Sequence, residues 1–165
     1  MSNALTDLLK TRDWLLTDGA TGTTLFNMGL TSGDAPEMWN ETETDKIRAL
    51  YSGSVDAGSD IFLTNTFGGN ASRLKLHGAE KRAGELSRMG AEIGREIADK
   101  AGRTVVVAGS MGPTGEIMAP MGPLTHEIAV EIFHDQAEGL KAGGADVLWA
   151  ETISAPEELR AVAEA

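Results

Sequence analysis

A chain of 165 residues with 41% apolar and 24% charged residues has the balance of a folded globular protein, and no apolar run approaches the roughly 18 residues a membrane span needs. Its 25 acidic and 14 basic residues leave a net charge of −11, which repels phosphate backbones and makes nucleic acid a poor partner. Without cysteine the chain forms no disulfide and no thiolate metal site of its own, and residues 1–10 lack the basic start and apolar stretch of a secretion leader, so the cytoplasm is the default compartment.

Four short apolar runs, at 14–16, 61–63, 104–108 and 147–150, punctuate the chain, and each ends in a polar or glycine-rich stop: Asp18-Gly19, Asn65-Thr66, Gly109-Ser110 and Glu151-Thr152. The runs are branched or aromatic and do not alternate polar with apolar residues, which predicts strands buried on both faces. Ahead of the first, Leu5, Leu8 and Leu9 make an amphipathic opening expected to cover the bottom of the sheet. A helical stretch follows the first stop, and then a glycine- and proline-containing loop over 29–39 with Trp39 near its end. Residues 45–57 space Ile47, Leu50, Tyr51 and Val55 three to four apart, the period of a helix with one buried face, and Gly58 suits its end. The second run leads to a helix over 79–101 with Leu86, Met89, Ile93 and Ile97 on its inner stripe. Past the third lies a loop over 111–125, packed by Met111, Met118 and Met121, then a helix over 126–141 ended by Gly143-Gly144. After the fourth, Ser154 is placed to cap a last helix with Glu157 and Glu158 in its first turn.

Strand, polar stop and helix, repeated at roughly 42 to 47 residues, is the pattern of β/α units in a parallel sheet, whose C-terminal strand ends share one rim. Closing an eight-stranded barrel takes about 250 residues, so four units and the start of a fifth helix read as half a barrel in a truncated chain. A complete doubly wound domain is the alternative.

The rim residues carry the chemistry. In 18–24 (DGATGTT) an apolar run turns into a helix through Asp18-Gly19, which aims backbone N–H groups at an anion while Asp18 faces a cation; a tight turn that needs small residues gives the same sequence. The segment lacks the Gly-Lys-Ser/Thr of a phosphate-binding loop. Glu151, directly after a strand, must emerge at the rim, because an unpaired carboxylate in the core is costly; a cationic ligand group or a rim salt bridge would satisfy it. Asn65 and Thr66 open a loop of hydroxyl, amide and aromatic surface. His126 and His134, eight apart, have no metal-binding spacing, and His77 before Gly78 reads as a helix-end residue.

Taken together, DGATGT (18–23), SGSVDAGSDIFLTNTFGGNASRLKLHG (52–78), GSMGPTGE (109–116) and ADVLWAETIS (145–154) resemble the homocysteine S-methyltransferase family, which includes betaine-homocysteine methyltransferase and the homocysteine module of cobalamin-dependent methionine synthase. The resemblance implies a (β/α)8 TIM-type barrel, with 1–165 as the N-terminal half of a single homocysteine-binding domain. It implies that the N–H groups of Gly19 and Ala20 hold the carboxylate of homocysteine, that Asp18 and Glu151 hold its ammonium, and that Asn65 and Thr66 line the pocket. In the family a zinc held by three cysteines on later strands binds the substrate sulfur, so the metal ligands are expected beyond residue 165 and this chain supplies no catalytic residue. The methyl donor would be betaine, S-methylmethionine or a methyl-corrinoid. The betaine enzyme's two enclosing tyrosines correspond to Gly68 and Thr152; Trp39, on the loop over the rim, is either a substitute face for a methylated cation or a packed or solvent-side residue.

Two other readings fit the residues. A non-catalytic half barrel, open at its first and fourth strands, would pair with a second chain, possible as a homo-oligomer. A different rim-site enzyme would use Asp18 and Glu151 as acid and base; no lysine stands at a strand end for Schiff-base chemistry.

Overall fold

The computed structural model describes residues 3–165; Met1 and Ser2, where the leader reading begins, lie outside the described residues. Three parallel strands, β1 (Ile61–Leu63), β2 (Val106–Met111) and β3 (Val147–Ala150), form a sheet in the order β1-β2-β3. Ile61 pairs with Val106, Leu63 with Ala108, and Ala108 with Val147. The helices in chain order are α1 (Ala4–Leu9), α2 (Thr21–Asn27), α3 (Trp39–Thr42), α4 (Thr44–Asp56), α5 (Ala71–Leu74), α6 (Ala83–Lys100), α7 (His126–Ala142) and α8 (Pro156–Glu164). Parallel neighbours require a crossover, and α6 and α7 provide the two between successive strands.

The outer face of the sheet buries Phe62 and Val107 against the stripe Ile47, Leu50, Tyr51 and Val55 of α4 and Ile93 of α6, so the sequence periodicity of both helices is realised as packing. Tyr51 and Phe62 lie with ring centroids 4.9 Å apart. Burying each such side chain contributes about 1.5–3 kcal/mol. Helices α6 and α7 meet at Gly84 and Gly139, where a Cβ on Gly139 would stand 2.2 Å from the Gly84 carbonyl oxygen. On the inner face Ile61, Val106 and Ala108 are covered from below by Leu5 and Leu8 of α1, the role expected of the opening segment.

Four expectations are corrected. Residues 14–16 do not form a buried strand: Thr17 makes a single parallel bridge to Ile61, and Trp14 and Leu16 are 72% and 46% exposed, because this segment is paired on one side only. β2 is buried throughout, but β3, at the sheet edge, alternates half-buried with exposed residues, because successive side chains point to opposite faces and one face is less covered; Leu148 is 50% exposed. The strand expected over 104–108 begins, as β2, at Val106 and continues through the Gly109-Ser110 stop to Met111, which leaves Met111 in the sheet instead of the loop. The start of α8 is also different: Pro156 occupies its first turn, and Ala155 precedes it without a side-chain cap.

Below the sheet, Asp60 joins the edge segment to the core. Its carboxylate accepts from the Leu16 N–H at 3.1 Å, pairs with Arg12, and lies 3.7 Å from Arg103. Burial acts to raise its pKa, but the Leu16 N–H and the two guanidinium groups outweigh it and hold it below the ordinary carboxylate value.

Candidate functional site

A cavity of about 560 Å³ opens at the C-terminal ends of the strands. Asp18, Gly19, Ala20, Asn65, Ser110 and Glu151 all contribute to its wall, so residues from four separate segments meet at one mouth. That convergence follows from the parallel topology, which brings successive strand ends to the same edge.

Asp18 is fixed at the sheet edge by two bonds. Its N–H donates to the Ile61 carbonyl at 3.0 Å, and its carboxylate accepts from the Leu63 N–H at 3.1 Å. Burial raises its pKa above the ordinary value despite these donors, and the negative charge of Glu151 adds to the rise. Glu151 continues β3, its N–H donates to the Met111 carbonyl at 3.0 Å, and one carboxylate oxygen accepts from the Ser110 hydroxyl at 2.6 Å. Two partly desolvated carboxylates side by side favour a cation between them.

Gly19 and Ala20 donate their N–H groups to no described residue. Ala20 has φ 59°, and Thr152, directly after Glu151, has φ 60°. These are the non-glycine residues with positive φ among those described, each costing about 1–2 kcal/mol. Both lie at the rim, where backbone strain collects when a loop must present particular groups.

Asn65 lines the cavity, but its side chain is engaged structurally. Its amide donates to the Pro36 carbonyl at 2.8 Å and to Asn40 at 3.0 Å, and its N–H donates to the Tyr51 hydroxyl at 2.6 Å. Thr66 stands behind the wall: it is 0% exposed, and its hydroxyl donates to the Ser110 carbonyl at 2.8 Å. Trp39 takes no part in the cavity; it opens α3, packs on the α4 and Phe62 cluster and carries the Lys46 ammonium 4.3 Å above its ring. Its apolar face is therefore used in packing, and the loop over 29–39 contains the turn Pro36–Met38.

The sequence brings the strand-end Ser110 to the mouth with Asp18 and Glu151 but does not show its bond to Glu151, and it leaves Glu37, Arg73 and His77 unmarked as wall residues. Glu37 is only 4% exposed, and its carboxylate accepts from the Gly68 N–H at 2.7 Å; burial pushes its pKa up. A Cβ on Gly68 would stand 3.0 Å from that carboxylate, so glycine gives the approach its room. The pattern of 36–38 holds no signal for this burial, whereas Ser110 is legible at the mouth from its position at a strand end.

Among the described residues no group of three or more His, Cys, Asp or Glu is placed to hold a metal ion. None of the described helices is long and apolar enough to cross a membrane.

Residues 15–165 match the family described as homocysteine S-methyltransferase. The chain is 34% identical over 166 residues to a methionine synthase of Mycobacterium tuberculosis and 33% identical to one of Mycobacterium leprae; it spans 14% of the length of each. The structure superimposes on the homocysteine methyltransferase MmuM of Escherichia coli with a TM-score of 0.83 for the oxidised form and 0.84 for the metallated form, at 26% identity. Those matches cover 99% and 98% of this chain but 61% and 62% of the MmuM chains, so the parallel β/α units described above are part of a TIM-type barrel. The chain belongs to the homocysteine S-methyltransferase family.

Proposed function

We propose that the protein carrying this chain transfers a methyl group to the thiol of homocysteine, forming methionine, and that residues 1–165 are the N-terminal half of its homocysteine-binding barrel. The observation that supports it most is one wall that presents two carboxylates, Asp18 and Glu151, beside the undonated N–H groups of Gly19 and Ala20. That is the charge complement of an α-amino acid: the ammonium between the carboxylates, the carboxylate on the amides. Ser110 orients Glu151, and Asn65 closes the wall. Fixing the amino-acid end holds the sulfur in one place, and positioning of this kind supplies much of the advantage in a displacement reaction.

The thiolate is the nucleophile in such a transfer, and a zinc ion would generate it. The residues present do not suit zinc, since the chain has no cysteine and the described residues form no metal cluster. In this reading the zinc ligands belong to sequence outside these 165 residues, and this chain acts on the amino-acid end. The test is methionine formation by the full-length protein from homocysteine with betaine, S-methylmethionine or a methyl-corrinoid. Methionine from one of them supports the reading. No methionine from any, or equal methylation of a thiol without the amino-acid group, overturns it.

A further inference from the structure

The chain holds eight arginines, and seven of them, Arg12, Arg48, Arg82, Arg88, Arg95, Arg103 and Arg160, lie within 4.0 Å of a carboxylate oxygen. Arg73 does not, and Arg73 lines the cavity. Its backbone is fixed: the Arg73 N–H donates to Asn70 Oδ1 at 3.1 Å, and the Asn70 amide donates to the carbonyls of Gly112 and Pro113, both at 3.3 Å. A Cβ on Gly115 would stand 3.0 Å from Arg73 Nη1, so glycine there leaves the guanidinium its room. His77 lines the same cavity.

Four carboxylates also line the cavity. The negative charge of Glu151 acts on Asp18, Asp34 is exposed, and Glu37, governed first by its burial, also feels the weaker attraction of Arg73 and His77. Glu37 is engaged by the Gly68 N–H and is not within ion-pair distance of Arg73. The cavity thus divides into a carboxylate pair at Asp18 and Glu151 and a basic pair at Arg73 and His77. At about 560 Å³ it is within the range that encloses ligands larger than one small amino acid.

We propose that Arg73, aided by His77, forms a carboxylate-binding subsite for a second small molecule in the cavity, which is the methyl donor. A guanidinium presents parallel N–H donors that match a carboxylate, and Arg73 and His77 stand exposed on the cavity wall, open to an entering ligand. The donor is then a carboxylate-bearing methylated cation. The identity of the second ligand as donor rests on the methyl-transfer reading; the anion subsite itself does not.

The test is calorimetric titration of the full-length protein with betaine, S-methylmethionine and homocysteine, using choline as the carboxylate-free counterpart of betaine, for wild type, Arg73→Gln and Arg73→Lys. The expected result is that wild type binds one of the two carboxylate donors and not choline. Arg73→Gln weakens that donor roughly 10- to 100-fold, Arg73→Lys recovers part of the loss, and the homocysteine dissociation constant changes less than about twofold. The proposal is overturned if neither carboxylate donor binds wild type, if Arg73→Gln leaves donor binding unchanged, or if homocysteine is weakened as much as the donor, which would place homocysteine's own carboxylate on Arg73. Donor binding that depends on Arg73 without methionine formation would retain the subsite and refute the methyl-transfer reading.

Discussion

Ser110 Oγ donates a 2.6 Å hydrogen bond to Glu151 Oε1, joining β2 to the residue that follows β3. One oxygen of the rim carboxylate is thereby held and the other left for the cavity. The carbonyl of Ser110 is itself held by the Thr66 hydroxyl at 2.8 Å, so Thr66 influences the site from behind the wall. Ser110→Ala should raise the KM for homocysteine about fivefold, the effect of one hydrogen bond of about 1 kcal/mol, with little change in melting temperature. Steady-state kinetics checks it; an unchanged KM would show that Glu151 keeps its orientation without Ser110.

Tyr51 supports the same wall from the outer face. Its hydroxyl accepts from the Asn65 N–H at 2.6 Å, in a place where Asn65 is 4% exposed. Tyr51→Phe keeps the ring against Phe62 and orphans a buried donor, which should lower stability by about 1–3 kcal/mol. Urea unfolding of the variant measures this directly, and a loss well below that range would mean that water replaces the hydroxyl.

Asp18 gives the site a pH dependence of known sign. Because its pKa is raised by burial, the proton is lost at higher pH than for an ordinary aspartate, and the ammonium needs the ionised form. Homocysteine binding should therefore weaken as pH falls through this raised pKa. The same shift means that the stability Asp18 gains from protonation is present at low pH and lost as pH rises through the folded value. Asp18→Asn should flatten the acid limb of the binding profile and unfold at a higher temperature than wild type at pH 7. An unaltered acid limb would assign the titration to another group.

The helices were legible because their period is local: Ile47, Leu50, Tyr51 and Val55 are spaced as a buried stripe and are all buried. Asp18 and Glu151 were legible as rim residues because a charged group ending an apolar run can emerge only there. Edge position was not legible. Trp14, Leu16 and Leu148 have core composition, and only the strand order shows that they have no neighbour on one side. The same holds for Glu37, whose burial depends on Gly68, 31 residues away, and for Arg73, whose lack of a partner is a property of the assembled charges.

The measurement closest to the central claim is the effect of Glu151→Gln on two thiols in the full-length protein, homocysteine and an analogue lacking the amine. The amide keeps the shape and can still accept from Ser110, so the fold should survive. Losing the charged partner of a desolvated ammonium costs about 2–5 kcal/mol, or roughly 30-fold or more in affinity. The account predicts that loss for homocysteine and a much smaller one for the amine-free thiol. Equal losses for both, or near wild-type binding of homocysteine, would contradict it.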